Sequence, residues 1–223
     1  MNRQKINDNW LFAKDDQELY QKKLIGDSVL INLPHTFNQE EIKTDDPIFR
    51  GATWYQKKII LQEADLEGEL YLEIGAASLQ SVVYVNGQQA AVNQTGYAMY
   101  RVHLTPYAVV GENLLSIRVT NEKDNTVYPL SGDFTFFGGL YRDVHLIRTR
   151  RQHFHLMDDT REGVIVATDK RKEKDYALKI NLHIENSASE DKTALLRVRV
   201  QSEKKKLLNW EIELADFIMN LAI

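Results

Sequence analysis

The chain has 223 residues, of which 43% are hydrophobic, and it carries 28 basic and 32 acidic residues for a net charge of −4. This length allows one large domain or two ordinary ones, and the hydrophobic content supplies a packed core and excludes a disordered tail. The mild acidic balance argues against a nucleic-acid partner. The absence of cysteine excludes disulfides, thiolate metal sites and a cysteine nucleophile.

The first residues predict a cytoplasmic location. A basic residue follows Met1, but no apolar run comes after it, so no signal peptide is visible. A chain trimmed of its signal would look the same. No stretch approaches the roughly 18 apolar residues of a membrane span, so no membrane partner is expected.

Alternating polar and apolar residues predict a series of strands. Between Glu69 and Ile74, for example, Leu70 and Leu72 fall on one face with Ile74. The pair Asn86-Gly87 separates two such segments and predicts a hairpin, because both positions of a tight two-residue turn take positive φ. The predicted strands are 55–61, 69–74, 81–85, 88–92, 100–104, 114–120 and 143–148, and residues 17–20 are left as a short helical turn or a loop.

The spacing of the strands favours an antiparallel sandwich or jelly roll, since they recur about every ten residues with polar turns between them. A composition change near residue 150 divides the chain into domains 1–150 and 151–223. The second domain has strands predicted at 163–167, 176–184 and 194–200, with an apolar end, 214–223, that is either a truncated strand or an effect of the chain stop. An immunoglobulin-like sandwich usually needs about 100 residues, so this second sandwich is expected to be partial.

Several motifs occur in order along residues 1–150, and none is specific alone. They are Asn9-Trp10 with Phe12, Leu-Pro-His-Thr-Phe at 33–37, Arg-Gly-Ala-Thr-Trp-Tyr at 50–55, Val-Tyr-Val-Asn-Gly at 83–87, Gly96-Tyr97, Gly111-Glu112-Asn113 and Phe-Gly-Gly-Leu-Tyr-Arg-Asp-Val at 137–144. Together they resemble the N-terminal sugar-binding domain of family 2 glycoside hydrolases of the β-galactosidase type. The resemblance implies an all-β chain, with a galactose-binding-like jelly-roll β-sandwich followed by a partial immunoglobulin-like β-sandwich.

The family's catalytic machinery is expected to lie outside this chain. Its enzymes are retaining, with two glutamates about 5 Å apart, and both belong to a (β/α)₈ barrel that follows the two sandwiches. No alternation of strands with long helices is visible here, so the chain alone is expected to be inactive. Asn121-Glu122 is similar to the family's acid/base pair but ends a sandwich strand. No catalytic residue, metal or cofactor is therefore assigned.

The resemblance does imply a substrate-binding role for loops of the first domain. In the family's β-galactosidases a carboxylate ten residues before the Asp of the Arg-Asp motif reaches the barrel mouth, and the matching position here is Asp133. Asp45, Asp46 and Arg50 precede the Gly-x-x-Trp-Tyr motif in a second loop that approaches the same mouth, and Asn121 is a weaker candidate. The alternatives are a turn aspartate for Asp133 and a solvated charged loop for Asp45, Asp46 and Arg50.

The histidines do not by themselves predict a metal site. His153 and His155 stand two residues apart, which places two imidazoles on one face of a strand. No third ligand is evident from the sequence, so metal binding is not favoured.

Three functions remain open at this stage. The first is a non-catalytic part of an exo-β-glycosidase, with galactosidase preferred over glucuronidase or mannosidase, whose partners are the carbohydrate substrate and the missing barrel. The second is a stand-alone carbohydrate-binding module, and the third is a structural or assembly role, including a homo-oligomer.

Overall fold

The computed structural model of the protein describes residues 1–44, 47–127, 137–157, 162–172, 175–187, 194–202, 205–214 and 218–222. The chain divides into two units, Met1–Arg150 and Arg151–Ile223. All strand pairings among the described residues are antiparallel, and the predicted all-β sandwich class is confirmed. No helix in these ranges is long and apolar enough to cross a membrane.

The first unit contains the predicted strands and several short elements that were not predicted. In chain order the elements are β1 (Asn2–Lys5), β2 (Trp10–Ala13), β3 (Val29–Ile31), α1 (Gln39–Thr44), β4 (Ala52–Leu61), β5 (Glu69–Ile74), β6 (Gln80–Val85), β7 (Gln88–Asn93), β8 (Tyr100–His103), β9 (Gly111–Thr120) and β10 (Val144–Thr149). A 3-10 turn at Glu18–Gln21 occupies the region left as a helical turn. Asn86 and Gly87 have φ values of 52° and 82°, as the hairpin requires.

Two sheets form the sandwich of the first unit. Among the described residues one sheet has the order β3-β2-β4-β9-β6-β7 and the other the order β1-β10-β5-β8. Their facing sides share one core, because alternate residues of each strand point to the same face. The core contains Trp10, Phe12, Tyr55, Ile59, Leu61, Val83, Val85, Leu115, Ile117 and Val119 from the first sheet and Leu70, Leu72, Ile74, Val102, Val144 and Leu146 from the second.

The outer face of the first sheet is covered locally by the segment between β2 and β3. Gln56 on β4 is buried. Its side-chain Nε2 donates to the carbonyls of Tyr20 and Lys23 at 2.6 and 2.8 Å, and its Oε1 accepts from the Ile25 amide at 2.8 Å. Trp54 is buried beneath the same segment, in contact with Ile25. The side chains of Trp54 and Gln56 therefore hold this segment against the outer face of the sheet.

A buried charge cluster lies on the outer face of the second sheet. Glu73 on β5 is only 2% exposed and accepts from Arg101 Nε on β8 at 2.8 Å and from Arg3 Nε on β1 at 2.9 Å. Burial by itself would raise the pKa of Glu73, but the hydrogen bonds from Arg3 and Arg101 outweigh it and hold the pKa below its usual value. One carboxylate thus links the two edge strands of this sheet, which do not pair with each other.

The second unit contains β11 (Gln152–Phe154), β12 (Val164–Lys172), β13 (Asp175–Asn186), β14 (Ala194–Ser202), β15 (Lys205–Leu214) and β16 (Ile218–Ala222). β13 pairs with β12 along one edge and with β11 and β16 in succession along the other. β14 and β15 form a separate hairpin. Of the apolar end of the chain, residues Ile218–Ala222 therefore form a paired strand.

We expect Glu73→Ala to destabilise the first unit strongly. Removing the carboxylate leaves the Arg101 guanidinium, which is 4% exposed, without its buried counter-charge, and breaking a buried pair typically costs about 3–5 kcal/mol. Because the folded pKa of Glu73 is depressed, its contribution should be present above the unfolded-state value of about 4.3 and lost as the pH falls through the folded value. Urea unfolding in a series from pH 7 down to pH 2 measures both effects.

The matched control is Glu112→Ala. Glu112 pairs with Lys58 at 2.9 Å, but both side chains are about half exposed, and such surface pairs contribute roughly 0–1 kcal/mol. Equal losses in the two variants would show that the Glu73 cluster contributes no more than a surface pair.

Candidate functional site

Two buried asparagines hold the loops that carry the predicted substrate-binding residues. Asn38 precedes α1, Asn121 follows β9, and both are fully buried. Asn38 Oδ1 accepts from the Gly138 amide at 2.8 Å and from Asn121 Nδ2 at 3.3 Å. Asn38 Nδ2 donates to the Phe49 carbonyl at 2.9 Å. We name Asn38 and Asn121 the asparagine clamp.

The clamp closes two loops at their bases. The bond from Asn38 to Phe49 joins the two ends of the segment 38–49, which includes α1 and which we name loop 38–49. The bonds from Asn38 to Asn121 and Gly138 join the two ends of the segment 121–138, which we name loop 121–138. Because the same side chain serves both loops, their starting points lie side by side. Loops positioned in this way by a rigid sheet are where binding residues commonly occur.

Asn121 has a structural position inside the clamp. Its Oδ1 accepts from the Gly51 amide at 3.0 Å, and its Nδ2 also donates to the Phe49 carbonyl at 3.0 Å. Its side chain, which was a weak candidate for contact with substrate, therefore lies in the interior with protein partners. A direct contact with a sugar would require the clamp to open, so we interpret Asn121 as a positioning residue.

Of the other predicted residues, Arg50 is described and the three aspartates are not. Arg50 is exposed, immediately before Gly51 and β4, and its Nη1 donates to the Asn121 carbonyl at 3.3 Å. Asp45, Asp46 and Asp133 lie outside the described residues. In the sequence, Asp45 and Asp46 fall between residues 38 and 49, and Asp133 falls between residues 121 and 138.

A second set of contacts fixes the return of loop 121–138 into the sheet. The His35 amide donates to the Leu140 carbonyl at 2.8 Å, and His35 Nδ1 lies 2.9 Å from the Tyr55 hydroxyl. Burial lowers the pKa of His35 and raises that of Tyr55, so both are neutral at pH 7. Gly139 has φ 132°, and a Cβ there would lie 2.4 Å from the His35 carbonyl oxygen, which explains the second glycine of the Phe-Gly-Gly motif.

The start of loop 121–138 is ordered by Asp124, which sequence reasoning did not single out. Its Oδ1 accepts from the Thr126 amide at 2.7 Å, and its Oδ2 accepts from Gln80 Nε2 at 2.5 Å. Hydrogen bonds from Thr126 and then Gln80 hold the pKa of this carboxyl below its usual range. An aspartate two residues before a threonine is a common turn signal, but Gln80 is distant in sequence.

Arg142 and Asp143, the Arg-Asp pair of the motif at 137–144, contact different parts of the fold. Arg142 Nη1 donates to the Tyr97 carbonyl at 3.2 Å, whereas Asp143 accepts from Lys5 Nζ at 2.7 Å and from Asn7 Nδ2 at 2.7 Å. The two neighbouring side chains therefore contact different elements of the fold. Asp143, just before β10, contacts the last residue of β1 and the segment that follows it, and Arg142 supports the loop before β8.

Comparison with known proteins decides the family. Residues 16–150 match the model of the sugar-binding domain of glycosyl hydrolases family 2. The chain belongs to this family. In this family 2 sugar-binding domain, the clamp and both clamped loops lie within the matched range.

Its relatives include enzymes with two different names. The chain is 27% identical over 202 residues to a β-glucuronidase of Bacteroides fragilis, covering 90% of this chain and 28% of that protein. It is 23% identical over 208 residues to a β-galactosidase of Thermoanaerobacterium thermosulfurigenes, covering 90% of this chain and 28% of that protein. The crystal structure of a Bacteroides uniformis β-glucuronidase superimposes with a TM-score of 0.81 and 29% identity, over 100% of this chain and 27% of that one. The chain thus spans somewhat over a quarter of the length of these relatives.

We expect Asn38→Ala to release both loops at once. The substitution leaves the buried Gly138 amide without its acceptor, and an unsatisfied buried group costs about 1–3 kcal/mol. Hydrogen exchange should accelerate together in the described parts of both loops, residues 38–44, 47–49, 121–127 and 137–138, and urea unfolding should show the loss of stability. The strands β5 and β10 should keep their protection.

Asn32→Ala is the control for this prediction. Asn32 is exposed, and its Oδ1 accepts one hydrogen bond, from the Asn9 amide at 2.8 Å. Its removal should cost less than roughly 0.5 kcal/mol and should leave both loops protected. If Asn38→Ala loosens only one of the loops, the shared clamp is refuted.

Proposed function

We propose that this chain is the non-catalytic N-terminal part of a longer, retaining exo-β-glycosidase. In this proposal its clamped loops form part of the wall of a substrate pocket whose two catalytic glutamates lie in a following (β/α)₈ barrel. The observation that carries the proposal is the hydrogen bonding of Asn38, which starts loops 38–49 and 121–138 from one buried point. Those loops contain every aspartate that the family resemblance implicates.

The chemistry of these loops suits a sugar. A carboxylate accepts two hydroxyl hydrogens at once, and hydrogen bonds to charged groups contribute more than neutral ones. Asp133 is the residue we propose for this contact, with Asp45, Asp46 and Arg50 supplying further charged groups from the neighbouring loop. Positioning residues lower the barrier only if they are held rigidly, and the clamp provides that rigidity at the loop bases.

The stand-alone binding module has less support. Such modules usually present an exposed aromatic ring on which the sugar stacks. Trp10 and Trp54, the tryptophans in the family motifs, are 0% and 1% exposed, and Trp10 Nε1 donates to the Ile6 carbonyl at 2.7 Å inside the fold. Both therefore serve the core, and neither offers a stacking surface.

A β-glucuronide is the substrate that we propose first, and a β-galactoside is the second candidate. The relatives of higher identity described above carry the name β-glucuronidase, and this moves the preference away from the galactoside that the sequence motifs suggested. The β-galactosidase of similar coverage keeps the second candidate open to test.

We expect the purified 223-residue chain to hydrolyse neither 4-nitrophenyl β-glucuronide nor 4-nitrophenyl β-galactoside, because it holds no barrel glutamates in our proposal. The polypeptide encoded by the complete reading frame of the same gene should hydrolyse one of them. Turnover by the 223-residue chain alone, or a stop codon after codon 223, would overturn the proposal.

In the complete polypeptide, Asp133→Asn should lower kcat/KM by roughly 10- to 100-fold, which corresponds to the loss of a hydrogen bond to a charged group. Asp27→Asn is the control, because Asp27 is exposed and precedes the edge strand β3; its kcat/KM should be unchanged. Equal kinetics for the two variants would remove Asp133 from the pocket.

A further inference from the structure

A hollow lies on the outer face of the second sheet, beside the end of β5 and the beginning of β10. Its volume is about 460 Å³, which is within the range of small-ligand pockets, roughly 300–1,000 Å³. The residues that line it include Arg3, Glu73, Tyr141, Arg142, Asp143 and His145. We name this hollow the outer-face pocket.

Positive charge exceeds negative charge at the outer-face pocket. The carboxylate of Glu73 is shared by two arginines, as described above, and that of Asp143 pairs with Lys5 at 2.7 Å. Arg142 is a fourth cation, and within the described part of the chain its hydrogen bonds go to backbone carbonyls and not to a carboxylate. Four basic side chains therefore accompany two carboxylates, and this balance favours an anionic ligand.

Two arginines of the pocket have N–H groups left to donate. Arg3 uses Nε and Nη2 on Glu73, and Arg142 uses Nη1 on the backbone. A guanidinium carries five N–H groups, so Arg3 Nη1 and Arg142 Nε and Nη2 have no hydrogen-bond partner among the described residues. A carboxylate is the anion whose geometry and charge match such paired donors.

His145 adds a neutral hydrogen-bonding group to the pocket. Burial, and then the charge of Arg3, lower the pKa of His145, so its ring is neutral at pH 7. Its Nδ1 is buried without a hydrogen-bond partner in the described part of the chain and lies 3.7 Å from Glu73 Oε1. The nearby carboxylate favours the tautomer with the proton on Nδ1, which leaves Nε2 as an acceptor. A hydroxyl group is a donor that this nitrogen accepts.

Tyrosine rings provide an apolar surface at the same place. Tyr141 lines the pocket, and its hydroxyl donates to the Gly96 carbonyl at 2.6 Å, which holds the ring in position. The ring of Tyr97 is 6.4 Å from that of Tyr141 between centroids, and Tyr97 is 44% exposed. Aromatic rings offer a large apolar face, and the C–H side of a sugar ring packs on such a face.

We propose that the outer-face pocket binds a sugar unit that carries a carboxylate, of the hexuronate class. Arg3 and Arg142 hold the carboxylate, His145 and Asp143 accept hydroxyl hydrogens, and the Tyr141 ring contacts the apolar side of the sugar. The site uses only residues of this chain, and it does not depend on the proposed hydrolase function. Such a site lets the domain hold an acidic glycan.

The test is a titration of the 223-residue chain with sodium D-glucuronate, followed by calorimetry and by the NMR signals of the histidine rings. We expect saturable binding that is at least roughly 10-fold tighter than that of D-glucose, which lacks the carboxylate, or of sodium acetate, which lacks the ring. The ring signals of His145 should shift. Those of His103, which pairs with Glu69 at 2.8 Å on the same sheet, should stay in place.

Arg142→Gln should weaken glucuronate binding by roughly 10- to 100-fold, the effect of losing hydrogen bonds to a charged group. Arg142→Lys keeps the charge but not the paired donors, so its affinity should fall between the two. Arg3→Gln is a second variant if Arg142→Gln fails to fold by circular dichroism, since Glu73 then keeps Arg101 as its partner. The matched control is Arg150→Gln, because Arg150 is exposed and does not line the pocket, and its affinity should be unchanged.

Three results would overturn the assignment of the outer-face pocket. They are the absence of glucuronate binding at millimolar concentration, equal affinity for glucuronate and either glucose or acetate, and equal affinity in Arg142→Gln and the unchanged chain.

Discussion

The ends of the two candidate loops depend on one buried amide side chain, that of Asn38. The side chain of Asn38 has a donor and an acceptor, and it uses them on the Phe49 carbonyl and the Gly138 amide. An aspartate would offer acceptors only, and a serine would be too short to reach both groups. Since Asn38 is fully buried, no water replaces either bond when it breaks. The two loops are consequently linked, because neither base can move without disturbing the side chain that holds the other.

The clamp works because the sheet has already placed its partners together. β4 and β9 pair so that Ala52 lies opposite Thr120. The residues just outside this pair, Gly51 and Asn121, therefore meet at the same end of the sheet, where Asn121 Oδ1 accepts the Gly51 amide. The alternation of polar and apolar residues produces the sheet, and the pairing within the sheet brings the ends of the two loops together. The hydrogen bonds made by the side-chain amides of Asn38 and Asn121 are the part that is specific to this site. A change in the core would thus reach the loops through β4 and β9.

Local sequence patterns were sufficient to predict the strands that alternate polar and apolar residues. They failed to predict strands that form only because a neighbouring strand offers hydrogen-bonding partners. β4 to β10 follow from apolar periodicity and from the positive φ of Asn86 and Gly87. β1 has the sequence Asn-Arg-Gln-Lys with every residue exposed, so it carries no such signal and exists because β10 offers it an edge. The candidate site likewise has one part that the sequence predicted and one part that it did not. Family resemblance indicated the loops, but Asn38 was missed because its partners at 49, 121 and 138 are distant in sequence.

Strand register is the information that the sequence lacked for His153 and His155 as well. The spacing of His153 and His155 is local and was read correctly as two imidazoles on one face. Their partners stand on β13, and the length of the connection between β11 and β13 does not determine which residue lies opposite which. A slip of one residue would turn Glu185 to the other face, away from the two imidazoles. The contact between His153 and Glu185 therefore arises from the whole pairing of β13, with β12 on its other edge, and a contact of this kind becomes visible only when the register is known.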